Sequence, residues 1–183
     1  MELKIDEVAQ ARIDRVRQHL PAGNDLTLVT LKGHLLVEEA LDEIIAIACS
    51  EPKHLENQNL PFRFKPLLAR ALFGHLLWPA LWPLVEALNA VRNNLAHHLD
   101  SPELQQRVIR FLNVRMKHAQ LLHDPPIVPS DPSAIAEQFR ADVSLLISQL
   151  TGGALFVRTV TKQAQPAVPA DPLQRASPAS AGL

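Results

Sequence analysis

One stretch of the chain gathers side chains that can do chemistry: Glu86-Ala87-Leu88-Asn89-Ala90-Val91-Arg92-Asn93-Asn94-Leu95-Ala96-His97-His98. An arginine, adjacent asparagines and paired histidines fall within one short amphipathic segment. A guanidinium stays charged at any working pH and its fork matches two phosphate oxygens. An imidazole takes or gives a proton near neutrality. Arg92 and His97 are therefore the candidate pair, and Asn93 is the third candidate.

Helical geometry places these groups. At about 100° per residue, with Leu88 at zero, Leu81, Leu84, Val91, Leu95 and Leu99 fall within about 60° of one another's mean direction. That is the expected core face. Glu86, Asn89, Asn93 and His97 lie between about 100° and 180°, forming a polar stripe. Arg92 sits near 40°, at the edge of the apolar stripe, and small Ala96 near 80° leaves room for another helix. Arg92 and His97 are about 140° apart on a straight helix. They converge on one phosphate only through the reach of Arg92, a bent helix end, or a second copy of the helix.

The elements that must position this helix are helical too. Apolar residues recur at helical spacing, and no Asn-Gly or Asp-Gly hairpin signal appears. Residues 5–19 predict a charged first helix, stopped by Pro21 and Gly23. Asp25 is placed to cap a second, whose apolar stripe runs from Leu28 to Ala48 with Glu38, Glu39, Asp42 and Glu43 between. Gly33 within it marks a close approach. Residues 50–61 predict a loop and Phe62–Leu77 a third helix. A fourth starts at Pro79 or Pro83 and runs to Leu99, since proline is tolerated in a first turn. Ser101 and Pro102 open a fifth, to Leu122. Pro125, Pro126, Pro129 and Pro132 form a rigid connector. Asp131 or Ser133 opens a sixth helix, ended by Gly152-Gly153, with a short apolar segment Ala154–Thr161 beyond.

The expected architecture is a compact all-α bundle of five to seven helices. Residues 1–23 form an N-terminal helix and turn, 24–163 the bundle, and 164–183 a disordered tail rich in Pro, Ala and Ser. Such a tail buries too little apolar surface to offset its ordering entropy.

Composition narrows the function classes. The 183 residues are 47% hydrophobic and 20% charged, enough for one domain with a sizeable core. Lys and Arg total 18 and Asp and Glu 19, so no overall basic field exists. Any nucleic-acid contact must come from a local patch, such as Arg107, Arg110, Arg115, Lys117 and His118 on the fifth helix. One cysteine, Cys49, excludes an internal disulfide and a cysteine-rich zinc site. Tyrosine is absent and aromatics are 4%, which argues against a stacking platform for single strands. The first 20 residues lack an apolar signal core, and no run of about 18 uncharged apolar residues appears. A cytoplasmic protein without a membrane span is expected.

Arg92-Asn93-Asn94-Leu95-Ala96-His97 resembles the R-N-x-x-x-H signature of the HEPN superfamily (higher eukaryotes and prokaryotes nucleotide-binding domains). The preceding layout is similar as well: a long helix of acidic and apolar residues, Leu35 to Ile47, then a Leu-Asn-x-x-Arg-Asn-x-x-Ala-His helix from Leu88 to His97. By helical layout the resemblance spans roughly residues 25–150.

This resemblance implies a homodimer with signature helices facing across a two-fold axis. It implies a metal-independent endoribonuclease or RNA-binding protein of toxin–antitoxin or defence type, without a cofactor. RNA and an antitoxin or other regulatory protein are the implied partners. Arg92 would hold the scissile phosphate, and His97 would assist the ribose 2′-hydroxyl in forming a cyclic phosphate. Asn93 would orient the histidine or donate to a non-bridging oxygen. Members silenced by a nucleotidyltransferase carry a tyrosine two residues after the histidine; here Leu99 stands there, which excludes that control.

Plainer explanations stand beside each of these. Arg92 can snorkel to pair with Glu86 or another acid, or Glu38 or Glu39 can hold it in place. His97 and His98 suit a helix C-terminus. Adjacent histidines point apart, which disfavours a metal site built on His97, His98, His118 and His123. Trp78 and Trp82 suit core or interface anchoring, and Cys49 a buried, inert thiol. A non-catalytic alternative is an interaction module or regulator similar to the mannitol operon repressor family.

Overall fold

The computed structural model describes residues 25–55, 58, 60–97, 103–119 and 128–164, with positions 7, 10, 11, 14–16, 18–20 and 23 of the N-terminal segment. The chain is an all-α bundle, with no strand among the described residues. The helices are α1 (Leu26–Ala48), α2 (Lys65–Phe73), α3 (Leu81–His97), α4 (Glu103–Ala119) and α5 (Pro132–Ala164). Ahead of them, the described residues between 7 and 19 are helical, and Val16 and Leu20 are buried in the core. The expected tail, apart from Ala164, lies outside the described residues. So do the expected cap at Ser101 and Pro102, and Pro125 and Pro126 of the connector.

Local chemistry sets the helix ends. Asp25 caps α1, its Oδ1 accepting from the Leu28 amide at 2.9 Å. Of the two candidate caps for α5, Asp131 is used: its Oδ2 accepts from the Ala134 amide at 2.9 Å. Pro132 follows at the first helical position, where its missing amide proton costs nothing. The segment Phe62–Leu77 is shorter in helix than its periodicity predicts. Phe62–Phe64 is a 3-10 turn and α2 ends at Phe73. The Gly74 amide donates to the Arg70 carbonyl at 2.8 Å as the chain leaves the helix.

The packing places α1 at the centre. It packs most extensively on α5 and also on α2 and α3, while α3 forms a hairpin-like pair with α4. Leu41, Ile44, Leu84, Leu88, Phe111, Phe139, Leu146 and Leu150 are fully buried between these layers. Each such side chain contributes about 2 kcal/mol by leaving water. Phe111 of α4 and Phe139 of α5 meet edge to face, with centroids 5.1 Å apart at 83°. Gly33 does mark a close approach. A Cβ there would lie 2.5 Å from Val143 Cγ1, so the glycine lets α1 and α5 come together.

One boundary differs from the sequence reading. Gly152-Gly153 does not end the sixth predicted helix; α5 continues through it to Ala164. The buried stripe Val143, Leu146, Ile147, Leu150, Ala154 and Val157 crosses the glycines without losing register. Its burial outweighs a helix penalty of about 1 kcal/mol per glycine. Packing also favours a glycine at position 153, because a Cβ there would lie 2.6 Å from Leu77 Cδ2. By length and composition α5 is apolar enough to cross a membrane, although its uncharged run between Asp142 and Arg158 is shorter than about 18 residues. Its buried residues nevertheless recur on one face against the bundle, as in the core helix of a globular domain.

Candidate functional site

Helix α3 carries the motif, held by burial of Leu81, Trp82, Leu84, Val85, Leu88 and Val91. Leu95, placed on the core face by periodicity, is half-buried, and Asn94 turns inward instead. No hydrogen-bond partner meets the buried Asn94 Oδ1 among the described residues. Arg92 and Asn93 are both exposed. Arg92 Nη1 donates to Asn93 Oδ1 at 3.3 Å, so two of the three candidate residues are in contact. His97 closes the helix, and its side chain lies outside the described residues.

Arg92 has no carboxylate partner among the described residues. Glu86 does not take it. Glu39, one expected clamp, is instead held by Arg15 at 2.7 Å. Glu38, the other, is held by Lys65 at 2.7 Å. The acidic face of α1 is therefore neutralised from elsewhere.

Asn89, placed on the polar stripe by periodicity, faces a neighbouring helix. It is half-buried at the seam between α3 and α1, where His34 donates from Nε2 to its Oδ1 at 3.2 Å. His34 is buried under the Phe62 ring, with centroids 4.1 Å apart. Its Nδ1 faces Glu38 Oε2 at 4.0 Å, too long for a hydrogen bond. Burial pushes the His34 imidazole below its ordinary value. The Asn89 bond and Glu38 oppose that shift, while the Arg92 and Lys65 charges add to it. The buried imidazole therefore feels the Arg92 charge.

Lys65 completes this seam. Its Nζ donates to both Glu38 Oε1 and Asp42 Oδ2 at 2.7 Å. Burial disfavours its charge, but the bonds to Asp42 and Glu38 outweigh burial and hold the pKa above the ordinary lysine value. Phe62, Lys65, His34, Glu38 and Asn89 thus lock α1, α3 and the entry to α2 at one place, next to Arg92.

The periodicity of α3 puts Arg92 at the edge of its apolar stripe and does not predict this seam. Its sequence signal is faint: a histidine four residues before a glutamate on an apolar helix, and a lysine inside the run Phe62-Arg63-Phe64-Lys65-Pro66. Which element crosses which decides the rest.

Comparison with family models, curated proteins and solved structures finds no match to this chain. Among the described residues no three His, Cys, Asp or Glu side chains gather as metal ligands. A buried acid, Asp142 on α5, lies on the α4 side of the bundle. Its Oδ1 accepts from Gln138 at 3.1 Å, with Arg115 Nε at 3.9 Å. Burial raises its pKa, against the Arg115 charge and the Gln138 bond. Cys49, expected to be buried, is half-buried, and its Sγ donates to the Ile45 carbonyl at 3.4 Å. Trp82 is a core residue, whereas Trp78 is partly exposed.

Proposed function

We propose that this chain is a HEPN-like, metal-independent endoribonuclease or RNA-binding protein of the toxin or defence type, working as a homodimer through its R-N-x-x-x-H helix. The observation that carries the reading is Arg92: exposed on the motif helix, contacted by Asn93, and claimed by no carboxylate among the described residues. A structural arginine would be paired with an acid. An arginine reserved for phosphate would be left in this state.

In this mechanism Arg92 binds two non-bridging oxygens of one phosphate and neutralises the charge that builds on it. His97 takes the proton of the ribose 2′-hydroxyl, whose oxygen attacks phosphorus. The bond to the 5′-oxygen breaks, and the second copy of the motif returns a proton to the leaving oxygen. The products are a 2′,3′-cyclic phosphate and a 5′-hydroxyl. Asn93 steadies the guanidinium it already touches. Such chemistry draws nothing from a metal, so the decisive experiment is cleavage in EDTA, expected from wild type but not from Arg92→Ala or His97→Ala.

A second reading, a non-catalytic interaction module, is favoured by a different observation: the outward face of α2 carries large apolar side chains. Under that reading the Arg92 variants change no RNA.

A further inference from the structure

Helix α2 carries apolar side chains on both its buried and its exposed side. Its buried side holds Lys65, Pro66, Ala69 and Phe73. Its exposed side holds Leu67 at 59%, Leu68 at 40% and Leu72 at 39%, continued from the preceding turn by Phe64 at 41%. The positions 64, 67, 68 and 72 follow the i, i+3, i+4, i+8 spacing of one helical face. That is the pattern of a buried stripe, yet it faces outward. Soluble surfaces carry single exposed leucines without consequence; a contiguous row of large apolar groups marks a contact surface.

The charges beside this row define its partner. Arg63 and Arg70 are seven residues apart and share one flank. Arg63 lies over the Phe64 ring at 4.7 Å. Neither has an ion-pair partner among the described residues. On the opposite flank Lys65 is neutralised by Glu38 and Asp42. The surface is thus an apolar ridge with cations available along one edge only.

We propose that this face of α2 docks an amphipathic helix of another protein, whose apolar stripe covers Leu67, Leu68 and Leu72 and whose carboxylates line the Arg63–Arg70 edge. This is a helix-on-ridge contact read through spaced apolar anchors, with charge setting orientation and encounter rate. A second copy of the chain fits less well. Its own acid-edged apolar row is Leu28, Leu31 and Leu35 of α1, and the acids beyond it, Glu38, Glu39 and Asp42, are already paired with Lys65 and Arg15. The sequence after residue 164 holds one acid, Asp171, which is too few for a two-carboxylate edge. An anionic membrane would meet the Glu38–Asp42 flank unfavourably. The proposal stands apart from the ribonuclease reading.

The test uses the full chain and a synthetic helix of about 20 residues, with leucines on one face and glutamates along one edge. A control peptide carries lysines at the glutamate positions. The expected result is micromolar, saturable binding of the glutamate peptide in fluorescence anisotropy, at least about tenfold tighter than the lysine peptide. Arg63→Glu with Arg70→Glu reverses that preference. Leu67→Ser with Leu72→Ser abolishes binding of both while a cooperative thermal unfolding transition is retained. Absence of saturable binding overturns the proposal, as do equal affinity for the two peptides or indifference to the α2 substitutions. A sedimentation mass that drops only in the leucine variant overturns it in favour of self-association. Partition to anionic vesicles that the peptide cannot displace overturns it in favour of lipid.

Discussion

Lys65 is 7% exposed and joins two carboxylates, so its charge acts inside the molecule. Replacing it by methionine keeps the packing and strands Glu38 beside Asp42. Both acids reach water, so the cost falls below that of a fully buried broken pair. Lys65→Met is expected to lose about 2 kcal/mol in urea denaturation, and Glu38→Gln in the same background is expected to recover part of it. At this scale the sequence reading recognised Arg92, Asn93 and His97 as the residues of interest. It missed His34 and Lys65, because a histidine and a lysine in apolar runs look the same whether they face water or a neighbouring helix. It also placed Asn89 on the polar stripe without naming the helix that would meet it. A helical wheel assigns one buried direction, whereas α3 is covered from two sides, by α4 and by α1.

Among the elements, the glycines discriminate most sharply. Gly33 and Gly152 are both helical, but of the two only Gly33 meets a neighbour. Val143 is β-branched and cannot rotate its Cγ1 away cheaply. Gly33→Ala therefore forces α1 from α5, and overpacking of about 1–3 kcal/mol outweighs the helix-propensity gain. At Gly152 nothing lies within 4 Å, so Gly152→Ala is expected to stabilise by about 0.5–1 kcal/mol. Thermal unfolding of the two variants should move in opposite directions. Helix starts were legible because caps are local: Asp25 and Asp131 each hydrogen-bond within three residues. The end of α5 was not, because glycine reads as a stop by propensity alone. Only the tertiary stripe from Val143 to Val157 shows that the helix continues.

For the whole molecule, the same burial makes stability respond to pH. The folded state keeps His34 neutral, while the unfolded chain takes up that proton near the ordinary imidazole value of about 6.5. The unfolded state therefore binds more protons as pH falls through this range, so stability is full above it and declines below it. Asp142 acts with the opposite sign: its raised pKa penalises the charged folded form, and that penalty is relieved as pH falls below the raised value. Urea midpoints are expected to fall between about pH 7.5 and about pH 5.5, and His34→Asn should flatten that slope whatever its effect on absolute stability. An all-α bundle was legible from periodicity alone, since apolar residues recur at helical spacing along the chain. The seam of His34, Asn89, Glu38 and Lys65 depends on how separate elements cross, which no single periodic stretch encodes.

The central claim is that Arg92 is kept free of acids in order to hold a phosphate. It is tested most directly by the 3′ ends produced from one defined oligoribonucleotide in EDTA, compared between wild type and Arg92→Ala of equal melting temperature. The account predicts 2′,3′-cyclic phosphate ends from wild type, and loss of those ends in the variant and in a substrate lacking the 2′-hydroxyl. Intact RNA with wild type, or the same ends at the same rate from Arg92→Ala, contradicts it.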